Sequence, residues 1–319
     1  MASPTPIAAG ATVADLGEFG LVGEFVERFA QGPQVYVGPG DDAAVLRAPK
    51  GHVVVSTDLL VEGRHFRREW ASARDIGRRA AAQNISDINA MGGRATALTV
   101  GLALPRDLPA QWVLDLADGI AEEAALVGAS IVGGDLTAGS EVVIAVTVLG
   151  ECSVAPVLRS GARPGDVLAI AGRQGWAAGG LAVLGRGFRS PRVLVEAYRR
   201  PEPPYDAGPA AAAAGATAMI DVSDGLVADA GHVARDSGVA IDLHRSAFDV
   251  PEPLQAVAAA TGSDPMALIL GGGEDHPLLA TFDAGNVPAG WTVVGEVSKG
   301  EGVTVDGAEY DGTAGWTHY

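Results

Sequence analysis

Apolar and polar residues change rhythm regularly along the chain. Val53–Thr57 is a short β-branched run and reads as a buried strand. Ser72 and Asp75 stand at capping-box spacing, and a helix is expected from Ile76 to Met91, stopped by Gly92–Gly93. Thr96–Leu104 reads as a strand. Leu108–Val127 reads as an amphipathic helix: Pro109 suits its first turn, Trp112, Leu116 and Ile120 share a face, and Gly128 ends it. Ile131–Val132 and Val142–Leu149 are further strands, and Asp15–Phe29 is an amphipathic helix with no assigned role.

The pattern pauses around Cys152–Pro156. A turn, ARPGD at Ala162–Asp166, then precedes a strand at Val167–Ala171. A helix is expected at Leu226–Arg235, with late strands at Leu278–Phe282 and Trp291–Val297. Pro201–Pro209 (PEPPYDAGP) is expected to be an ordered irregular loop. The alternation predicts two α/β or α+β layers, with a domain boundary near residue 152.

The length of 319 residues fits two domains, 1–151 and 152–319. Hydrophobic content of 48% and charged content of 19% are those of a globular chain. Lys+Arg is 22 against Asp+Glu 39, a formal net charge of −17. That argues against nucleic acid or an anionic membrane as partner. Lys50 and Lys299 are the only lysines, and neither lies in a Gly-rich loop, which excludes a lysine phosphate loop. The single cysteine, Cys152, excludes an internal disulfide or a multi-cysteine metal site and suits a reducing compartment. Met1–Thr12 lacks the basic segment of a secretory signal, and no apolar run reaches the length of a membrane span, so a cytoplasmic location is expected.

What changes the picture is where the carboxylates fall. Gly40-Asp41-Asp42 precedes an apolar run, Ser56-Thr57-Asp58 closes the first strand, and Gly133-Gly134-Asp135 follows another. Asp221-Val222-Ser223-Asp224-Gly225 and Gly271-Gly272-Gly273-Glu274-Asp275 flank further apolar runs. Each alone is ordinary turn or cap chemistry. Asp87 differs: it lies within a predicted helix, on one face with Asn84 and Met91, where an aspartate needs a partner or a cation. Carboxylates that converge repel one another and raise their pKa values, and divalent cations relieve this. Oxygen ligands without cysteine point to Mg²⁺ first, with Mn²⁺ or Ca²⁺ as alternatives. Magnesium bridges carboxylates to phosphates, which points to a nucleoside triphosphate, and Gly-rich turns offer N–H groups that approach phosphate.

GDDAAVL (Gly40–Leu46), STDLLVEGRHF (Ser56–Phe66), NISDINAMGG (Asn84–Gly93), GGDLT (Gly133–Thr137), DVSDGL (Asp221–Leu226), GGGED (Gly271–Asp275) and GWTHY (Gly315–Tyr319) occur in that order. Together they resemble the thiamine-monophosphate kinases of the aminoimidazole ribonucleotide synthetase-like superfamily. The resemblance implies an N-terminal α+β domain that dimerises through its sheet and a C-terminal α/β domain that closes over the site. It implies transfer of the ATP γ-phosphoryl group to thiamine monophosphate, the last step of thiamine diphosphate biosynthesis. Carried over by motif, Mg²⁺ ligands would be Asp42, Ser56, Thr57, Asp58, Asp87, Asp135, Asp221 and Asp224. ATP contacts would be Gly134, Asp135, Arg159 and Ser223, and substrate contacts His65, Glu274 and Trp316. The chain departs from the family pattern at Arg64, Leu136, His276 and Tyr319.

The residues suit such a reaction. The attacking phosphate oxygen is already ionised at neutral pH, so no catalytic side-chain base is expected, and no phosphoenzyme. Countercharge must come from metals and arginine. His65 alone reads equally as a packed histidine, Trp316 as a core edge, Glu274 as a turn residue and Arg159 as an ion-pair partner. The basic runs Arg64, Arg67, Arg68 and Arg78–Arg79 are expected to be solvated or ion-paired. Two other readings remain open here: a different acceptor within the same superfamily, and a binding module for thiamine phosphates or nucleotides.

Overall fold

The computed structural model describes residues 10–37, 45–49 and 51–316. The Gly40-Asp41-Asp42 motif, and with it the expected ligand Asp42, lies outside the described residues, as do Thr317–Tyr319. The chain divides into two compact units. One comprises Met1–Ile88 and Arg94–Glu151, the other Asn89–Gly93 and Cys152–Tyr319.

The first unit runs α1 (Val13–Arg28), β1 (Val35–Val37), β2 (Val45–Leu46), β3 (Val54–Val61), α2 (Ala73–Ala90, its last turn grouped with the second unit), β4 (Gly93–Leu104), α3 (Ala110–Val127), β5 (Ser130–Ala138) and β6 (Val143–Cys152). Helix starts follow local chemistry. Thr12 and Asp15 form a capping box on α1, and the Ser72 hydroxyl donates to Asp75 Oδ2 at 2.7 Å ahead of α2. Gly128, at φ 73°, ends α3 in a left-handed cap. The sheet order is β3-β6-β4-β5. β3 and β6 pair antiparallel without a break from Val54 opposite Gly150 to Val61 opposite Val143, and β4 and β5 pair parallel.

Period two then sorts the side chains. Ile144, Val146 and Val148 of β6 are buried, with Leu60 of β3, while Val55 and Leu59 of β3 stand 63% and 59% exposed on the opposite face. Two segments read as turns are in fact strand. β3 continues through Asp58 because β6 keeps pairing with it, and β5 continues through Gly133-Gly134-Asp135 because β4 supplies a ladder, with Gly101 opposite Asp135.

The second unit runs β7 (Val167–Ala171), α4 (Trp176–Gly185), α5 (Arg192–Arg199), α6 (Ala207–Ala213), β8 (Ala218–Asp221), α7 (Leu226–Ser237), β9 (Ala240–Leu243), α8 (Glu252–Thr261), α9 (Pro265–Leu270), β10 (Leu278–Phe282), β11 (Thr292–Ser298), β12 (Gly302–Val305) and β13 (Ala308–Glu309). The sheet order is β13-β12-β9-β11-β7-β10-β8. Pairing is antiparallel except for β12 with β9. Both faces are covered. Leu168, Ile170 and Leu279 pack on one side with Leu226 and Val233 of α7, and Ala169, Leu278, Ala280 and Phe282 pack on the other with Ala211 of α6. This is why β7 and β10 read as unbroken apolar runs rather than alternating ones. The Pro-rich loop is shorter than expected, since α6 takes over at Ala207. Among the described residues no helix is long and apolar enough to cross a membrane.

Candidate active site

In the first unit, a strand face meets a helix face. Ser56 and Asp58 lie two residues apart on β3 and so share a side, while Asn84 and Asp87 lie three apart on α2. The Ser56 hydroxyl donates to Asp87 Oδ2 at 2.6 Å, and the Asp58 N–H donates to Asn84 Oδ1 at 3.2 Å. Gln83 Nε2 donates to Asp58 Oδ2 at 3.2 Å. Asp87 thus meets Ser56, and its helix neighbours Asn84 and Gln83 hold Asp58, across one seam. Asn84, which is fully buried, is a positioning neighbour of that seam.

Thr57 is not part of this grouping. Its side chain is on the other face of β3, donating to the Val146 carbonyl at 2.9 Å and accepting from Thr147 at 3.0 Å. Alternation along a strand forbids three successive side chains from serving one site. Asp135 also stands apart. It lies on β5, the opposite edge of the sheet, about 14 Å away by three strand spacings. A cavity of about 90 Å³ lies beside Asp135, walled by Phe25 and Phe29 of α1, Leu102 of β4 and Leu116 of α3, with Gly133 and Gly134 on its rim.

His65 sits in the tight turn after β3. Its Nδ1 accepts the Val61 N–H at 3.0 Å, and its own N–H donates to the Val61 carbonyl at 2.9 Å. An acceptor Nδ1 fixes the neutral ring with its proton on Nε2. Three of the arginines in the basic runs are ion-paired or stacked, while Arg79 is buried at 4% exposure and so is not the solvated residue expected. Arg68 pairs with Glu62, Arg78 Nε lies 2.9 Å from Glu123, and Arg67 stacks over Trp70 at 4.7 Å.

In the second unit, three sequence-distant segments are sewn together by their backbones. The Glu274 N–H donates to the Ser223 carbonyl and the Trp316 N–H to the Asp224 carbonyl, both at 2.9 Å, while Ala228 donates to Ala314 at 3.2 Å. Glycine is required at the crossing. A Cβ on Gly273 would stand 2.0 Å from the Ser223 carbonyl oxygen, and one on Gly225, at φ 153°, 2.6 Å from that of Ala314. Asp221, Ser223, Asp224, Glu274 and Trp316 are thereby held around one knot. The Trp316 ring is 60% exposed, so it closes no core edge. Arg159 is exposed; burial first, then Arg235 and Arg159, hold the His232 pKa below its ordinary value.

Two further aspartates serve this knot: Asp229, which the sequence did not single out, and Asp275, which it gave only within the Gly271–Asp275 motif. Asp229 Oδ2 accepts three consecutive backbone N–H groups, those of Ser223, Asp224 and Gly225, each at 3.1 Å. Burial pushes its carboxyl up to about 7, with Asp221 and Asp224 adding to the rise and the backbone donors opposing it. Asp275 Oδ1 accepts the Ala177 N–H at 2.9 Å at the start of α4, and burial pushes it too up to about 7. His276, at φ 54°, bonds through Nδ1 to Asp221 Oδ2 at 3.0 Å, both side chains being buried. The expectation that Gly-rich turns cradle phosphate with their N–H groups therefore fails at Ser223-Asp224-Gly225, where a carboxylate of the chain itself already takes them.

The donors suit a hard cation: they are carboxylate and hydroxyl oxygens. Among the described residues no three His, Cys, Asp or Glu side chains cluster to hold a metal by themselves. A cation would take one or two carboxylates here and complete its shell with phosphate and water, the habit of Mg²⁺.

The chain matches the family models for AIR synthase related protein, N-terminal domain, over residues 40–152 and C-terminal domain over residues 163–307. It is similar to the thiamine-monophosphate kinase of Mycobacterium tuberculosis, with 49% identity over 97% of this chain and 93% of that one. It is 40% identical to the enzyme of that name from Corynebacterium glutamicum, over 99% of this chain and 97% of the other. Among solved structures, that of AaThiL complexed with AMPPCP and TMP superposes with a TM-score of 0.81 at 31% identity, covering 98% of this chain and 100% of that one.

Proposed function

Because the chain belongs to the thiamine-monophosphate kinases of the AIR synthase-related family, we propose that it transfers the γ-phosphoryl group of ATP to the phosphate of thiamine monophosphate. The products are thiamine diphosphate and ADP, the final step of that cofactor's synthesis. Transfer is direct and in line, with no phosphoenzyme. The observation that carries this reading is the knot of Asp221–Gly225, Gly271–Asp275 and the Thr313–Trp316 segment, which sets carboxylates beside an exposed indole.

The roles follow the resemblance, and the chemistry of the residues suits them. Ser56, Asp58, Asp87, Asp135, Asp221 and Asp224 are assigned to magnesium, with Asp42 outside the described residues and Thr57 through its main chain only. Bound magnesium would supply the positive charge that lets two anionic phosphates approach. Gly134, Ser223 through its hydroxyl, and Arg159 are assigned to ATP, and the apolar cavity beside Asp135 suits a nucleobase. His65 can only donate from Nε2, which suits a phosphate oxygen. The Trp316 face suits the cationic thiazolium, and Glu274 the aminopyrimidine.

The enzyme acts as a cytoplasmic homodimer in this reading. The open sheet face bearing Val55 and Leu59 supports a second copy as its cover. Light scattering should give twice the chain mass, and Leu59→Arg should give the single mass. The activity test is incubation with Mg²⁺, γ-labelled ATP and thiamine monophosphate. Labelled thiamine diphosphate supports the reading. Label retained on the denatured protein would overturn direct transfer, and tight binding of both ligands without product would favour a binding module.

A further inference from the structure

Three successive N–H groups aimed at one point form the backbone arrangement that holds anions in phosphate-binding loops. At Ser223-Asp224-Gly225 the anion is internal: all three N–H groups bond Asp229 Oδ2 at 3.1 Å, from the first turns of α7. Asp229 is 2% exposed and cannot itself reach a bulk ligand. With the N–H groups turned inward, the loop is fixed over the start of α7, and Asp224 can offer only its side chain outward. The neighbouring carboxylate is fixed from the other side: Asp221 ends β8 and has Oδ2 committed to His276 Nδ1 at 3.0 Å. His276 reaches it from a left-handed backbone conformation, φ 54°, next but one after Glu274 at φ 70°. The cost of two such residues in one turn is tolerated where the surroundings over-determine them.

We propose that Asp229 and His276 are positioning residues that aim Asp224 and Asp221 at the divalent cation, Asp229 by holding the loop through its three N–H groups and His276 by its bond to the Asp221 carboxylate. This rests on the magnesium role given to Asp221 and Asp224 above. Outer-shell partners of metal-binding carboxylates and imidazoles act in this way, and their loss costs about 10–100-fold in metal affinity.

The test pairs an ablating with a conservative substitution at each position. Asp229→Leu and His276→Leu remove the bond; Asp229→Asn keeps one acceptor, and His276→Asn keeps a donor near the place of Nδ1. Each protein is titrated with Mn²⁺ alone, reading the rise in melting temperature and the paramagnetic relaxation of water, and then with Mg²⁺ at saturating ATP and thiamine monophosphate. The Leu variants should need about 10–100-fold more metal in both assays. The Asn variants should recover to within about tenfold of the parent. Leu variants that fold but bind metal as the parent does would overturn the proposal. Asn variants no better than Leu would do the same, by assigning the loss to general destabilisation. If a Leu variant does not fold, its Asn partner decides: parent-like Mn²⁺ affinity supports the proposal and a hundredfold loss overturns it. A parent that binds Mn²⁺ yet makes no thiamine diphosphate would sink the functional reading while leaving the metal assay to judge this one.

Discussion

On β3 and α2, position follows from period. Ser56 and Asp58 share a face because strands alternate, Asn84 and Asp87 because helices turn in 3.6 residues, and the two faces meet side chain to side chain at 2.6 Å. Around Asp221–Gly225, position follows from backbone. The carboxylates are aimed by N–H groups, by glycines that admit a crossing chain, and by partners five to fifty-five residues away. The first arrangement rests on strand register and side-chain bonds, the second on close backbone crossings that admit only glycine.

The contrast is broken most severely at Asp87. Asp87→Asn keeps the bond to Ser56 and loses the charge, so turnover should fall about a thousandfold, roughly 4 kcal/mol of barrier, while the melting temperature stays within about 2 °C. Measured kcat and a thermal melt separate the two, and near-normal turnover at saturating Mg²⁺ would return Asp87 to a structural role. Gly273→Ala should do the reverse. Its Cβ would meet the Ser223 carbonyl at 2.0 Å, so stability should drop by about 1–3 kcal/mol and activity with it. Gly133→Ala, with nothing within 4 Å of its added Cβ, should change stability by less than about 0.5 kcal/mol. Equal effects at the two glycines in chemical denaturation would erase the distinction.

Trp316→Ala should raise the KM for thiamine monophosphate up to about thirtyfold, the loss of a cation–π contact of about 2 kcal/mol, and leave the KM for ATP and the melting temperature alone. An unchanged substrate KM would make the indole a bystander. The smallest effect concerns pH. Asp275 titrates at about 7 when folded against 3.8 in a free chain. The folded state therefore holds the extra proton between those values, and the contribution of Asp275 to stability is full below about 4 and declines as pH rises towards 7. Asp275→Asn should flatten that decline while keeping the cap on α4, seen as a melting temperature gain of a few degrees at pH 8 over the parent. A steeper decline in the variant would contradict the raised value.

The same division decides what could be read from the sequence. Helices α2, α3 and α7 and strands β4, β7 and β10 were legible, because caps, glycine stops and apolar runs are local. So was the need of Asp87 for a partner, since an aspartate on a helix face demands one; that the partner is Ser56 was not. Helix α4, almost wholly apolar and containing Gly179 and Gly180, carries neither amphipathic period nor strong propensity, and was not singled out. The strand through Gly133-Gly134-Asp135 was read as a turn because the ladder that holds it comes from β4. Asp229 was not singled out, and Asp275 was read only as part of its motif, for a further reason. Their partners are backbone N–H groups, which every residue has, so no residue type signals the bond.

Strand β3 carries two assignments on its two sides: Ser56 and Asp58 towards α2, Val55 and Leu59 on the open face. A single inserted or deleted residue upstream of Ser56 within the strand would exchange the sides together. Hydrophobes would then face Asp87, and hydroxyl and carboxylate the open face. Length variation in this strand therefore has no partial phenotype. Insertions and deletions should be purged there as completely as changes to Asp87 itself, while the point substitutions Val55→Ile and Leu59→Met pass unnoticed.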